Sequence, residues 1–381
     1  MKYTRRFHLA ALVALTAALV TACGGAFTSR DDFDRVVVAG DSLADAGTFG
    51  LKFTVQNSAA PAEGFAIWPE IVAAEYEVND QCNFYTFAGT TFVPNTTAGC
   101  TNYAIGGARI VNPEAQGGNS SPQSIPTQLA VAAEQDGPYS KSDLVLVDGG
   151  GNDAADLLGA FVGATDPAGQ AAYRDFLLQQ IPAATLDPIL AQPNGNALAA
   201  GQYMQNLAVT FYTAIKVSVL DRGATRVAVL NLPDITLTPR FRQVLADVAQ
   251  ANGGGAAGDA AAAQLQAAIR QWIGAFNTRL VESVGSDTRV ALVNFNADFT
   301  DQVQNPAKYG LTNVTLSACE AAGIPAVQAC ATAALDANPP AGLRAGWWQT
   351  WAFSDSFHPT PLGHRLLADS VFRALERAGW L

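Results

Sequence analysis

Four short runs of almost unbroken apolar residues punctuate the chain: RVVVAG (35–40), DLVLVDGG (143–150), TRVAVLNLP (225–233) and TRVALVNF (288–295). None alternates polar with apolar positions. A strand with one wet face alternates, whereas a strand covered on both faces need not. Between and after these runs, apolar positions recur at helical spacing over 198–220, 259–284 and 361–378. Thr360 followed by Pro361 supplies a cap residue and a proline at the first helical position, where the missing N–H is not needed. Doubly buried strands alternating with helices predict a mainly parallel sheet between two helical layers, an α/β fold of the three-layer α/β/α sandwich type.

Two stretches break the alternation. Residues 48–100 and 299–352 are rich in Gly, Pro, Asn, Thr and aromatics, and each holds one pair of cysteines. They read as insertions at strand ends, where an open parallel sheet binds its ligands. GGGAAGDAAAA (253–263) reads as a flexible turn leading into a helix. With 49% hydrophobic residues and neither an internal repeat nor an interdomain linker, residues 35–381 are expected to form one domain.

The first 22 residues have a different character. Lys2, Arg5 and Arg6 precede an apolar run over 9–20 that is too short to span a bilayer comfortably, the pattern of a signal peptide. Val20-Thr21-Ala22-Cys23 resembles a bacterial lipoprotein box, which implies cleavage before Cys23 and lipidation of that residue. Gly24, rather than an aspartate, follows the cysteine and points to an outer-membrane anchor. If Cys23 is not lipidated, the expectation becomes secretion. With Cys23 lipidated, residues 23–34 form a lipid-anchored linker.

Setting Cys23 aside leaves four cysteines. In an exported chain their close spacing favours the disulfides Cys82–Cys100 and Cys319–Cys330. Neither pair has metal-ligand spacing backed by histidine, so no metal site is expected. Removing Lys2, Arg5 and Arg6 takes the formal charge from −11 to −14. An acidic chain without basic runs is a poor partner for nucleic acid or for an anionic membrane surface. Membrane attachment is expected through the lipid alone, and the sequence is silent on oligomeric state.

Histidine narrows the chemistry. Of the three, His8 lies in the expected signal, so any serine activated by histidine must use His358 or His364. Asp355 precedes His358 by three residues in AFSDSFHPTPLGH. That spacing lets the carboxylate hold one ring nitrogen and leave the other free to act as a base. His364 falls inside the last helical pattern and is expected to pack or cap.

At this point the arrangement resembles a known family. GDSLADAG (40–47), NYAIGGA (102–108), GGGND (149–153) and DSFH (355–358) stand in the order of the four blocks of the GDSL family of SGNH hydrolases. The resemblance spans residue 36 to the end of the chain and implies a flavodoxin-like sheet. Carried over residue by residue, it makes Ser42 the nucleophile and Asp355 and His358 its triad partners. It makes the Ser42 amide, Gly107 and Asn152 the oxyanion hole, with Gly106 as the neighbouring candidate for Gly107. Two backbone amides and a carboxamide are preorganised dipoles for a developing oxyanion. Asp41 and Asp45 read as residues that fix the loop by accepting backbone amides. Ser42 itself reads both as a nucleophile and as a cap for a helix after the first strand. The block departs from relatives reading FGDSLSDTGN at Ala39 and Thr48; neither touches the proposed catalytic groups, and the departures leave the shape of the pocket rim open.

The resulting expectation is an exported serine esterase or lipase that hydrolyses carboxylic esters through an acyl-enzyme, with no cofactor. Trp347, Trp348, Trp351 and Phe353 precede the DSFH block, and Phe49, Phe53, Phe65 and Trp68 follow the nucleophile. They read either as walls for an apolar acyl or aryl group or as a core beneath the insertions. Phospholipases, acyltransferases and carbohydrate deacetylases share the same blocks. Two other classes compete: a non-catalytic surface-binding lipoprotein, and a flavodoxin-like nucleotide-binding protein. The first would lack a triad residue, and none is missing. The second needs a phosphate loop, and AGDSLADAG places carboxylates there instead.

Overall fold

The computed structural model describes residues 32–79 and 81–381; the expected signal peptide, Cys23 and most of the linker lie outside them. In chain order the strands are β1 (Arg35–Ala39), β2 (Tyr85–Phe87), β3 (Phe92–Pro94), β4 (Asp143–Val147), β5 (Val227–Leu230), β6 (Val290–Val293), β7 (Asn313–Ser317) and β8 (Trp351–Phe353). The principal α-helices are α1 (Trp68–Glu75), α2 (Ile125–Gln135), α3 (Gly151–Gly163), α4 (Pro167–Leu177), α5 (Ala183–Leu190), α6 (Gly195–Ser218), α7 (Pro239–Ala251), α8 (Gly255–Val284), α9 (Phe295–Gln304) and α10 (Pro361–Ala378).

The four apolar runs become β1, β4, β5 and β6, a parallel sheet in the spatial order β1-β4-β5-β6. Val37 pairs with Val145, Val145 with Val227, and Val227 with Val290, so one level of the sheet is valine throughout. Residues 101–105 lie along the outer edge of β1. Val38 N donates to Thr101 O at 3.0 Å, and Tyr103 N donates to Val38 O at 2.7 Å. This edge carries the NYAIGGA block to the same end of the sheet as Ser42.

Both faces of the sheet are covered, as the unbroken apolar runs require. Val37, Ala39, Val145, Val147 and Val229 face Leu207 and Phe211 of α6 and Ile269 and Phe276 of α8. Val36, Val38, Leu144, Leu146 and Leu230 face Trp68 and Val72 of α1 and Leu367 and Val371 of α10. Each fully buried side chain of this size contributes about 1.5–3 kcal/mol of transfer free energy. The result is the three-layer sandwich.

Helix α10 spans the predicted residues, with the Thr360 hydroxyl accepting from Gly363 N at 3.2 Å and Pro361 in its first turn. Helix α8 starts four residues before the pattern did, at Gly255, because the turn is confined to Asn252–Gly254. Helices α3, α4, α5 and α7 carry too many glycines, prolines and polar positions to have stood out. The stretch 48–100 includes α1, which seals one face of the sheet. Both disulfides are formed: Cys82–Cys100 and Cys319–Cys330. The second sits in a satellite core with Val55, Leu335, Trp347, Trp348 and Trp351.

Candidate active site

β1 ends at Ala39, and the next residues fold into turns rather than a helix. Ser42 therefore caps no helix. It is held at the strand end by two carboxylates. Asp41 Oδ1 accepts Leu43 N at 3.0 Å. Asp45 Oδ1 accepts Gly47 N at 2.9 Å and Thr48 N at 2.7 Å, and its Oδ2 accepts Gly106 N at 2.7 Å. Burial pushes the Asp45 carboxyl up to about 6, against the pull of these amides. Burial likewise raises Asp41. Thr48, the departure from the FGDSLSDTGN pattern, is buried and donates its hydroxyl to Ala104 O at 3.3 Å.

The far end of the chain supplies the partners. The loop between β8 and α10 brings His358 Nε2 to 2.8 Å from Ser42 Oγ. Its Nδ1 lies 2.7 Å from Asp355 Oδ2. Asp355 Oδ1 accepts the amides of Phe357 at 2.8 Å and His358 at 2.7 Å, so the carboxylate is oriented before it meets the ring. Burial alone would raise the Asp355 carboxyl. The hydrogen bond and charge of His358, with the two amides, outweigh burial and hold it below the ordinary carboxylate range. An ionised Asp355 stabilises an imidazolium at His358 and fixes the tautomer that keeps Nε2 facing the serine.

The second block lies opposite. Gly106 and Gly107 both line the cleft, but their amides differ. That of Gly106 is taken by Asp45, whereas neither the Gly107 nor the Ser42 amide donates within the described chain. Gly107 has φ +79°, a left-handed conformation that suits glycine. Arg109 Nη1 donates to Gly107 O at 2.5 Å, and Gln123 Nε2 to Gly106 O at 3.1 Å, fixing both peptides. Asn152 sits in the first turn of α3, donates one carboxamide hydrogen to Ala108 O at 3.0 Å and keeps another for the cleft. Gly150, at φ +95°, makes the tight strand-to-helix turn that places it there.

The cleft has a volume of about 590 Å³ and is walled by Phe49, Leu51, Phe53 and Phe357 beside the polar groups. Phe53 lies 4.9 Å, centroid to centroid, from the His358 ring. Of the aromatic residues expected around the site, only Phe49 and Phe53 line it. Trp347, Trp348 and Trp351 belong to the satellite core, and Trp68 to the main core. The indole N–H groups of Trp347 and Trp348 donate to Leu335 O at 3.1 Å and Asp336 Oδ1 at 3.0 Å. Phe65 packs on Trp348, and Phe353 lies in a small cluster under α10. His364 is fully buried in α10, where the polar group its ring meets is the Phe53 backbone.

Sequence reasoning missed several supporting residues. Asp153 accepts Ile110 N at 3.0 Å and Val111 N at 2.9 Å, tying α3 to the second block. Asn102 donates to Ala44 O at 2.8 Å, tying that block to the nucleophile turn. Both lie inside the quoted blocks, so their presence was visible although their partners were not. Arg240 and Gln328 also line the cleft from distant segments, and no local signal marks them. Among the described residues, no cluster of three His, Cys, Asp or Glu side chains is placed to hold a metal ion, and no helix is long and apolar enough to cross a membrane.

Ser42, His358 and Asp355 thus stand in hydrogen-bonded series in one cleft, which Gly107 and Asn152 also line. Residues 36–371 match the family described as GDSL-like lipase/acylhydrolase. The chain belongs to that family. It is 24% identical to an uncharacterized protein in the trpE-trpG intergenic region of Pseudomonas putida, over 96% of this chain and 52% of the relative. The chain thus spans about half the length of that curated relative. The crystal structure of an extracellular lipase from Streptomyces rimosus is similar at 16% identity, covering 90% of this chain and 99% of the lipase with a TM-score of 0.35.

Proposed function

We propose that the protein is an exported serine esterase or lipase that cleaves carboxylic esters through an acyl-enzyme on Ser42. The observation that carries this reading is the unbroken series Ser42 Oγ, His358 Nε2, His358 Nδ1 and Asp355 Oδ2, with contacts of 2.8 and 2.7 Å. His358 takes the Ser42 proton as the oxygen attacks the ester carbonyl. The tetrahedral oxyanion is received by the Ser42 and Gly107 amides and the Asn152 carboxamide. The imidazolium then gives its proton to the departing alkoxide, leaving Ser42 acylated. Water, deprotonated by His358, repeats the attack, releases the acid and restores the serine. Each step keeps its developing charge beside a fixed dipole or the ionised Asp355.

Phe49, Leu51, Phe53 and Phe357 suit an apolar acyl or aryl group, which favours a lipid-like or aryl ester over an acetylated sugar. Export and anchoring belong to the same reading. Two disulfides support an oxidising compartment, and the lipoprotein-like box at Cys23 supports attachment to the outer membrane by a lipid. The test is a series of p-nitrophenyl esters of increasing acyl length, assayed with the wild type and Ser42→Ala. Hydrolysis by the wild type with loss on the order of a million-fold in the variant is expected. Equal turnover by both proteins refutes the reading.

A further inference from the structure

The cleft holds one cation that the mechanism does not use. Arg240, at the start of α7, lines the same cavity as Ser42, Gly107 and His358. Its backbone amide donates to Ser356 O at 2.8 Å, which fixes its position against the triad loop. Its guanidinium lies over the Phe357 ring, 5.8 Å from the centroid. Three other basic groups near the site are neutralised within the protein: Lys52 by Glu70 at 2.7 Å, Arg109 by Asp156 at 2.5 Å and Arg270 by Asp234 at 2.7 Å; Arg242, which lines the neighbouring hollow but not the cleft, donates its Nε to Leu237 O at 3.1 Å. Among the described residues no carboxylate pairs with Arg240. The one carboxylate in the cleft, Asp355, is already engaged by His358 and two amides.

Arg240 also stands where the cleft meets a second hollow. Arg240 and Ser356 line both, and the second, of about 640 Å³, extends to Val244 and to Leu316, which is 55% exposed. Glu320 on its wall is held by the Ser317 hydroxyl at 2.8 Å. An ester reaching from Ser42 toward this hollow passes the guanidinium. In a protein of formal charge −11, an unneutralised cation beside the nucleophile is against the general trend of the surface. A guanidinium with no internal partner is suited to an oxyanion of the ligand.

We propose that Arg240 selects esters whose non-reacting part carries an anionic group, a carboxylate or a phosphate, and seats that group at the junction of the two hollows. This rests on the ester-hydrolase reading above and adds the charge of the substrate to it. Because the contact is made before and during reaction alike, it acts on KM more than on kcat.

The test compares esters matched except for charge. The butyrates of 3-hydroxybenzoate and 3-hydroxybenzamide form one pair; 1-butyrylglycerol 3-phosphate and 1-butyrylglycerol form the other. For the wild type, kcat/KM is expected to favour the anion by about tenfold in at least one pair, and the pair that responds tells carboxylate from phosphate. Arg240→Gln should bring that ratio toward unity through KM, Arg240→Glu should invert it, and Arg279→Gln, on a remote exposed helix face, should leave it in place. Equal ratios in the wild type and Arg240→Gln overturn the assignment while leaving the hydrolase reading intact. Failure of the wild type on all four esters, with the p-nitrophenyl series also inert, overturns both.

Discussion

Asp45 accepts the backbone amide of Gly106 at 2.7 Å, and this contact leaves the amide of the adjacent Gly107 as the one without an acceptor in the described chain. In the proposed reaction it is therefore the Gly107 amide that receives the oxyanion. The same carboxylate holds the amides of Gly47 and Thr48, so one buried side chain joins the nucleophile turn to the opposing wall. Asp45→Ala strips three amides of their acceptor. Unmet buried donors cost about 1–3 kcal/mol each, so a loss of about 3–5 kcal/mol is expected after partial relaxation. Urea denaturation measures it. In protein that remains folded, kcat should fall more than KM rises, because the displaced group meets the transition state rather than the bound ester.

The proposed mechanism gives the two histidines separate roles. His358→Ala should remove most activity at every pH tested, whereas His364→Gln should leave the shape of the pH–rate profile in place. Asp355→Asn should lower kcat by about 10²–10⁴-fold, because the ring loses its orienting charge. Asn152→Ala should cost about 10²–10³-fold, the scale of one oxyanion donor. An inactive His364→Gln beside an active His358→Ala would reverse the assignment.

His364 has a measurable effect on stability instead. Burial lowers it from an ordinary 6.5 to about 3 against the pull of the Phe53 backbone, with His358 and Lys52 adding repulsion. The folded protein thus binds this proton less readily than the unfolded chain. Its contribution is fully present above pH 6.5 and is lost as pH falls toward 3. The slope approaches about 1.4 kcal/mol per pH unit within that window. Asp45 works in the opposite sense: its contribution is present below 3.8 and lost as pH rises through about 6. Comparing His364→Leu with the wild type at each pH cancels the Asp45 term. Urea midpoints should show the variant gaining on the wild type between pH 6.5 and 4. Parallel curves would show that His364 is not buried as the neutral ring.

Much of this architecture is legible in the sequence, for physical reasons that differ by element. β1, β4, β5 and β6 stand out because a strand covered on both faces has no polar positions to interrupt it. α10 stands out because apolar positions recur at helical spacing and Thr360 and Pro361 mark its start. The outer edge segment 101–105 does not stand out, since its side chains include asparagine and threonine, and it meets β1 through backbone pairs and the Thr101 hydroxyl, which donates to Val36 O at 2.7 Å. The tryptophans before the triad misled because large aromatics serve a pocket wall and a small core equally well. Only the tertiary placement of Leu335 O and Asp336 shows where the indole N–H groups are satisfied. Ser42, Asp355, His358, Gly107 and Asn152 were readable from short blocks, and the structure brings them into one cleft. Arg240 and Gln328 come from segments with no local pattern and enter the cleft only on folding.

The most direct measurement of the central claim is covalent trapping. An organophosphate such as diethyl p-nitrophenyl phosphate reacts with a serine oxygen activated by a neighbouring base and mimics the tetrahedral intermediate. Incubation of the folded protein, followed by mass spectrometry of its peptides, should find one diethylphosphoryl group on Ser42 and a matching loss of ester hydrolysis. Labelling should be absent in Ser42→Ala and greatly slowed in His358→Ala. A protein that hydrolyses esters while remaining unlabelled at Ser42, or that is labelled and inactivated at another residue, would contradict the account.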